Sequence, residues 1–284
     1  MYKIGLKLWS INTDYYYDEA IRLYNNGVFD YIELYVVPDT LDTLQKWKKL
    51  RTLAPCGRGQ GAREQETPHP NLLPQGAREH GIPFIIHCPH FAHGFNLAKK
   101  EKKESNKKIF KQVQRFADEL NAEYIIVHGG IDGNIEETAK QFAALNDSRA
   151  LIENKPYIAL PNRMGGNFCR GYNTEEIKKV IDTANCGFCL DFGHAICAAN
   201  SLKQEIYSYV EEFIKLKPNM FHLTDIDDIT SEYDSHPHIG TGQLDVKRIL
   251  NLIPEGKNIT IETIKNSKEN LNDFIEDYKN IKTL

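Results

Sequence analysis

The sequence predicts a closed (β/α)8 barrel, and three observations carry that prediction. Eight short runs rich in Ile, Val, Phe and Tyr recur along the chain. They are nearly continuous in apolar residues, as strands buried on both faces of a parallel sheet are. Stretches with an apolar period near 3.6 residues separate them, and eight such units in 284 residues close into a TIM barrel more readily than they spread into an open sheet. This fold places its chemistry at the C-terminal ends of the strands, so that face is where a site is expected.

The strand runs are, in order, IGLKLW (4–9), FDYIELYVV (29–37), PFIIHC (83–88), YIIVHG (124–129), ALIEN (150–154), GFCLDF (187–192), MFHLTD (220–225) and NITIETI (258–264). Between the first two lies DYYYDEAIRLYNNG, a helix whose C-terminus is signalled by Gly27. KKIFKQVQRFADELNAE sets Ile109, Val113, Phe116 and Leu120 on one helical stripe. NTEEIKKVIDTAN, SLKQEIYSYVEEFIKLK, LDVKRILNLI and SKENLNDFIEDYKNI read as the later helices.

Residues 54–79 break the pattern. They hold four Pro, four Gly and three Arg but no Lys or Ile, whereas the rest of the chain carries 25 Lys and seven Arg. The composition resembles a translated interspersed palindromic repeat. It falls between the second helix and the third strand, which puts it on the N-terminal face, where a flexible insertion costs little because closure entropy grows only with the logarithm of length. The expectation is one barrel domain over 1–284 with a functionally silent insert.

A formal charge of −4 and a pI near 6.2 exclude a generally basic nucleic-acid coat, though not a local patch. Nothing approaches the ~18 consecutive apolar residues of a membrane helix, and the start MYKIGLKLWS is too short in its apolar run for a signal peptide, so a cytoplasmic protein without a membrane partner is expected. The six cysteines are scattered and read as reduced thiols. Cys186 and Cys189 form C-x-x-C, but within a strand positions three apart face opposite ways, which argues against a metal or redox pair.

The strand ends carry a concentration of metal-ligand side chains. His87, His128 and Glu153 end the third, fourth and fifth strands; Asp191 and His194 follow the sixth; His222 sits on the seventh; Asp234 and His236 lie in the loop after it; Glu262 is on the eighth. A lone His or Glu at a strand end is most often a satisfied polar group. Five imidazoles and four carboxylates converging on one rim would repel or go unsatisfied without cations, so a multi-metal site is the cheapest account. Mixed nitrogen and oxygen donors favour zinc, with manganese and iron as alternatives.

At these residues the sequence resembles a known family. IIHCPHF, YIIVHGG, LIENKP, LDFGHA, FHLTD, DSHPHIGTG and ITIET follow, in order, the metal motifs of the endonuclease IV (AP endonuclease family 2) group of the xylose-isomerase-like barrels. The resemblance implies up to three zinc ions: one held by His87, His128 and Glu153, a second by Glu153, Asp191, His222 and Glu262, and a third by His194, Asp234 and His236. It further implies abasic duplex DNA as partner and cleavage 5′ to the lesion, with Glu153 and Glu262 at the catalytic centre. His238 is not required by the pattern and reads as a neighbour of the site.

The DNA-facing motifs depart from the family. ELYVVPDT stands where an aromatic-Asn-Pro-Arg-x-Trp run is usual, His90 where a tyrosine is usual, and Ser235 where an arginine is usual inside D-x-H. The Ala-Gly-x-Gly turn after the ligand glutamate is replaced by KPYIALPNRMGG. Phosphate contacts would then fall to Arg163, Arg170 and Lys155, with His90 beside them. A divalent-metal sugar or sugar-phosphate isomerase or epimerase of the same superfamily is the alternative. It needs only Glu153, Asp191, His222 and Glu262.

Overall fold

The computed structural model describes residues 2–52, 81–159 and 168–284. The 54–79 insert, His69, His80 and Arg163 lie outside the described residues. Eight parallel strands close in sequence order, β1 (Lys3–Trp9), β2 (Tyr31–Tyr35), β3 (Phe84–His87), β4 (Ile125–His128), β5 (Ala150–Glu153), β6 (Gly187–Asp191), β7 (Met220–Leu223) and β8 (Asn258–Ile261), with β8 pairing back to β1. Helices α1 (Tyr17–Asn25), α2 (Leu44–Thr52), α3 (Lys103–Glu119), α4 (Ile135–Ala143), α5 (Thr174–Ala184), α6 (Phe192–Ser201), α7 (Ile206–Ile214), α8 (Val246–Asn251) and α9 (Asn272–Thr283) lie between and after them. The barrel is the predicted (β/α)8 architecture.

Several strands are shorter than their apolar runs. The β7 ladder stops at Leu223, and Thr224 and Asp225 turn out to organise the following loop. The β2 ladder stops at Tyr35, and β8 stops at Ile261, one residue before Glu262. At a strand's C-terminal end the backbone serves the site rather than the ladder. Residues 192–201 form a helix buried almost all round, which hides it from an amphipathic reading because no polar face marks it.

Strand alternation sorts the barrel interior into layers. Tyr31, Ile85, Ile126, Leu151, Cys189 and Met220 pack together as an apolar plug. Gly5 completes that level on β1, and a Cβ there would collide with the ring of Tyr31. Two residues further along each strand comes a polar side chain: Lys7, Glu33, His87, His128, Glu153, Asp191, His222 and, after Thr260, Glu262. The plug fixes the floor and the period of two aims the next layer into the mouth. The larger core lies between strands and helices, with Trp47, Phe84, Phe116, Phe188, Phe213 and Phe221 fully buried.

Candidate metal centre

All nine sequence-predicted ligands fall on one face. His87 Nδ1 donates to the Cys88 carbonyl at 2.7 Å, which leaves Nε2 as the bare nitrogen, 3.1 Å from Glu153 Oε2. His128 Nε2 approaches the same oxygen at 2.8 Å. His194 stands in the first turn of α6, whose N-cap is Asp191: the Asp191 carboxylate accepts the His194 amide at 2.7 Å. The His194 ring sets Nδ1 3.0 Å from Glu153 Oε1 and 3.4 Å from Asp191 Oδ2, and Nε2 3.3 Å from Asp234 Oδ2. His236 Nε2 is 2.7 Å from that Asp234 oxygen.

Three groups drawn wholly from the nine predicted ligands have one donor atom per residue within 4.8 Å of one another: His87, His128 and Glu153; Glu153, Asp191 and His194; and His194, Asp234 and His236. The predicted second set of Glu153, Asp191, His222 and Glu262 is not among these groups, although His222 Nδ1 lies 2.9 Å from Glu262, 3.7 Å from Glu153 and 3.8 Å from Asp191. His194 turns Nδ1 toward Glu153 and Asp191 and Nε2 toward Asp234.

The donors fit divalent cations. His128 Nδ1, Glu153 Oε1, His222 Nδ1, Asp234 Oδ2 and His236 Nδ1 are buried and lack hydrogen-bond partners among the described residues. Several of these atoms lie within 3 Å of an opposite donor yet are misaligned for a hydrogen bond, as side chains aimed at a common point are. Orphaned polar atoms at this density are otherwise costly, about 1–3 kcal/mol each. The mixed imidazole and carboxylate set suits zinc.

Electrostatics follow from crowding. Burial is the largest influence on His194 and opposes its charge, but Asp191, Asp234 and Glu153 together raise the imidazole to about 10. His222 is likewise raised against its burial by Cys189 and the carboxylates of Glu262, Glu33 and Glu153. Asp191 is raised, chiefly by burial, whereas Glu153 is pulled low against burial by His128 and Lys155. Burial, reinforced by Lys155, pulls His90 down to about 3.

The loop after β7 is shaped by one carboxylate. Asp225 accepts the amides of Ile226, Gly240, Gly242 and Leu244 at 2.8–3.1 Å. Gly242 approaches the Ile226 carbonyl too closely to carry a side chain. His236 sits at φ 52, a left-handed conformation uncommon for a non-glycine residue, and its carbonyl accepts the Ile264 amide at 3.0 Å. His238 pairs with Asp277 at 3.0 Å, tying the loop to α9.

Two interior residues escaped the sequence reading. Lys7 bonds Glu33 at 2.6 Å and also Glu262; Glu33, fully buried, accepts from His222 Nε2 at 2.9 Å and from Thr260 at 2.6 Å. The signal was a single charged residue inside each of two otherwise apolar runs, IGLKLW and YIELY. Lys155 reaches His194 Nε2 at 2.9 Å, deeper than a phosphate-contacting arginine substitute on the rim. The Arg170 guanidinium bonds Glu176 and the Asp132 carbonyl, both at 2.9 Å. His90 does stand at the mouth, its ring parallel to His128 at 6.3 Å and its amide bonded to the Tyr35 hydroxyl. Around this mouth Trp9, Ile11, Tyr15, Phe168, Tyr233 and Ile264 are exposed.

A family model described as xylose isomerase-like TIM barrel matches residues 26–283. The chain belongs to that family. Among curated proteins it is 28% identical over 192 residues to a probable endonuclease 4 of Halothermothrix orenii, covering 62% of this chain and 68% of that protein. Another probable endonuclease 4, of Mycobacterium bovis, is 26% identical over 170 residues, covering 58% and 66%. Solved structures include endonuclease IV of Thermus thermophilus, with TM-score 0.65 and 18% identity over 99% of this chain and 97% of that one. A D-tagatose 3-epimerase-like protein superposes with TM-score 0.67 and 16% identity over 99% and 96%. At such identities the structural likeness speaks to the fold alone. Among the described residues no helix is long and apolar enough to cross a membrane.

Proposed function

We propose that this chain is a metal-dependent phosphodiesterase that nicks DNA 5′ to abasic sites, with up to three divalent ions, zinc first among them. The observation that carries this reading is the His194, Asp234 and His236 group, built beside the strand-end donors. The one-ion isomerase scheme of Glu153, Asp191, His222 and Glu262 would leave it idle. The endonuclease 4 relatives support the same direction.

Bound ions would supply a water acidified to near neutral pH and positive charge against the phosphate oxygens. Glu153 offers both its oxygens to the shared middle of the cluster, and Glu262 and Asp191 close it around His222. His87 and His194 each donate Nδ1–H to a backbone carbonyl, Cys88 and Asn154 respectively, which fixes their rings; this leaves His87 Nε2 toward Glu153, while His194 Nε2 faces Lys155 and Asp234. The apolar plug closes the barrel beneath the cluster.

The second reading is a sugar or sugar-phosphate isomerase or epimerase. What favours it is the convergence of Glu262, Glu153 and Asp191 on His222 Nδ1, which by itself makes a one-ion site flanked by paired glutamates. The deciding experiment incubates zinc-loaded protein at low salt with an abasic-site duplex and, in parallel, with ketoses and ketose phosphates. Nicking of the duplex is the expected result. Isomerised sugar with an intact duplex overturns the proposal in favour of the second reading.

A further inference from the structure

Lys7 and Glu33 stand in the polar layer yet belong to none of the ion sets named above. With His222 and Glu262 they close a ring. Glu33 Oε2 accepts from His222 Nε2, Glu33 Oε1 accepts from Lys7, Lys7 also holds Glu262, and Glu262 lies 2.9 Å from His222 Nδ1. Thr260 donates to Glu33 from behind and is itself bonded to the Tyr31 hydroxyl at 2.9 Å, so the carboxylate cannot turn without breaking a buried chain.

This arrangement has a chemical consequence for His222. A carboxylate only accepts, so Nε2 carries the proton facing Glu33, and Nδ1 is the nitrogen left for an ion. That nitrogen is buried, has no hydrogen-bond partner among the described residues, and faces an oxygen from each of Glu262, Glu153 and Asp191. A carboxylate behind a ligating imidazole fixes its tautomer and raises its basicity. Lys7 acts in the other direction, because its ammonium already holds Glu262, which must leave it in part to join an ion. Glu33, His87, His222 and Glu262 could by reach alone hold a cation themselves, but Lys7 bonds both of that group's carboxylates.

We propose that Glu33 and Lys7 are positioning residues that set the ion affinity at His222 in opposite senses: Glu33 strengthens it by presenting Nδ1, and Lys7 weakens it by competing for Glu262. The inference rests on the metal-centre reading above. Its test is a Co2+ titration of chelator-stripped full chain, followed by d–d absorption and by ion count. Glu33→Gln is expected to bind one ion about 10–100-fold more weakly, with the other ions unchanged. Lys7→Met is expected to bind that same ion roughly tenfold more tightly, the scale of one charged hydrogen bond removed from a competitor. If Glu33→Gln fails to fold, the double variant Lys7→Met/Glu33→Gln, which keeps the charge balance, is compared with Lys7→Met, and the same 10–100-fold loss is expected between them. Wild-type affinity at every step in Glu33→Gln, or weaker binding in Lys7→Met, overturns this proposal while leaving the metal reading intact. A wild-type chain that takes up no ion overturns both.

Discussion

The corner formed by His87, His128 and Glu153 and the corner formed by His194, Asp234 and His236 offer similar donors by different means. The first is carried wholly by strand ends, with His128 paired in register to Glu153 across the β4–β5 ladder. Each side chain there is buried, and its direction is fixed by the pleat. The second joins a helix N-terminus to a loop. Its His236 holds a left-handed backbone, and 35% of the side chain remains exposed. A ladder confers position on a ligand directly, whereas a loop must be given its shape by other residues, here Asp225 for the loop and Asn154 for α6.

The sharpest contrast comes from one substitution in each corner. Glu153→Gln removes the carboxylate shared by the first and second sets, so nicking is expected to fall by at least roughly 100-fold with loss of more than one ion. Asp234→Asn touches the loop corner alone, with an expected loss of one ion and a fall of about 10–100-fold. Assays of nicking and ion count on both proteins check this. Parental nicking in Asp234→Asn with one ion missing would break the claim that the loop corner takes part in the chemistry.

A smaller effect separates shape from ligation. Asp225→Ala leaves four loop amides without their acceptor and is expected to lower stability by about 2 kcal/mol or more. It is further expected to weaken ion binding at the loop corner only. Denaturant unfolding and metal titration read the two consequences separately, and equal weakening at both corners would mean that the corners are not independently built.

The ligands of both corners were legible by residue type, but only those of the strand corner were legible in direction as well. His87, His128 and Glu153 end apolar runs, and alternation then decides which way they face. Asp234 and His236 have no such periodicity, and the loop's shape depends on Asp225, which reads as one more polar residue at a strand end. Lys7 and Glu33 were open to the same alternation argument, since each stands two residues beyond the plug. They were missed because their runs look like ordinary apolar strands with one interruption. Arg170 shows the converse limit: the sequence marks a cation near the active face but not that Glu176 folds beside it.

The smallest expected effect lies farthest from either corner. The Ile82 amide donates to the Leu50 carbonyl at 3.0 Å, and Gly81 packs against the Arg51 carbonyl, so the flanks of the insert already meet at the N-terminal end of β3. Deleting 54–79 and rejoining through a short linker is expected to leave nicking and ion content unchanged at both corners. Loss of nicking in a folded deletion protein would show that the opposite face of the barrel communicates with the centre.

The single carboxylate of Asp225 gives the β7–α8 connection a mechanical character of its own. Its four amide bonds draw together residues from both ends of the 226–244 stretch, and the Gln243 amide on the Ile226 carbonyl at 2.7 Å joins the same ends, so the stretch is a loop closed at its base. Asp234 and His236 ride on that closed base, and the Ile264 amide on the His236 carbonyl moors their tip to the end of β8.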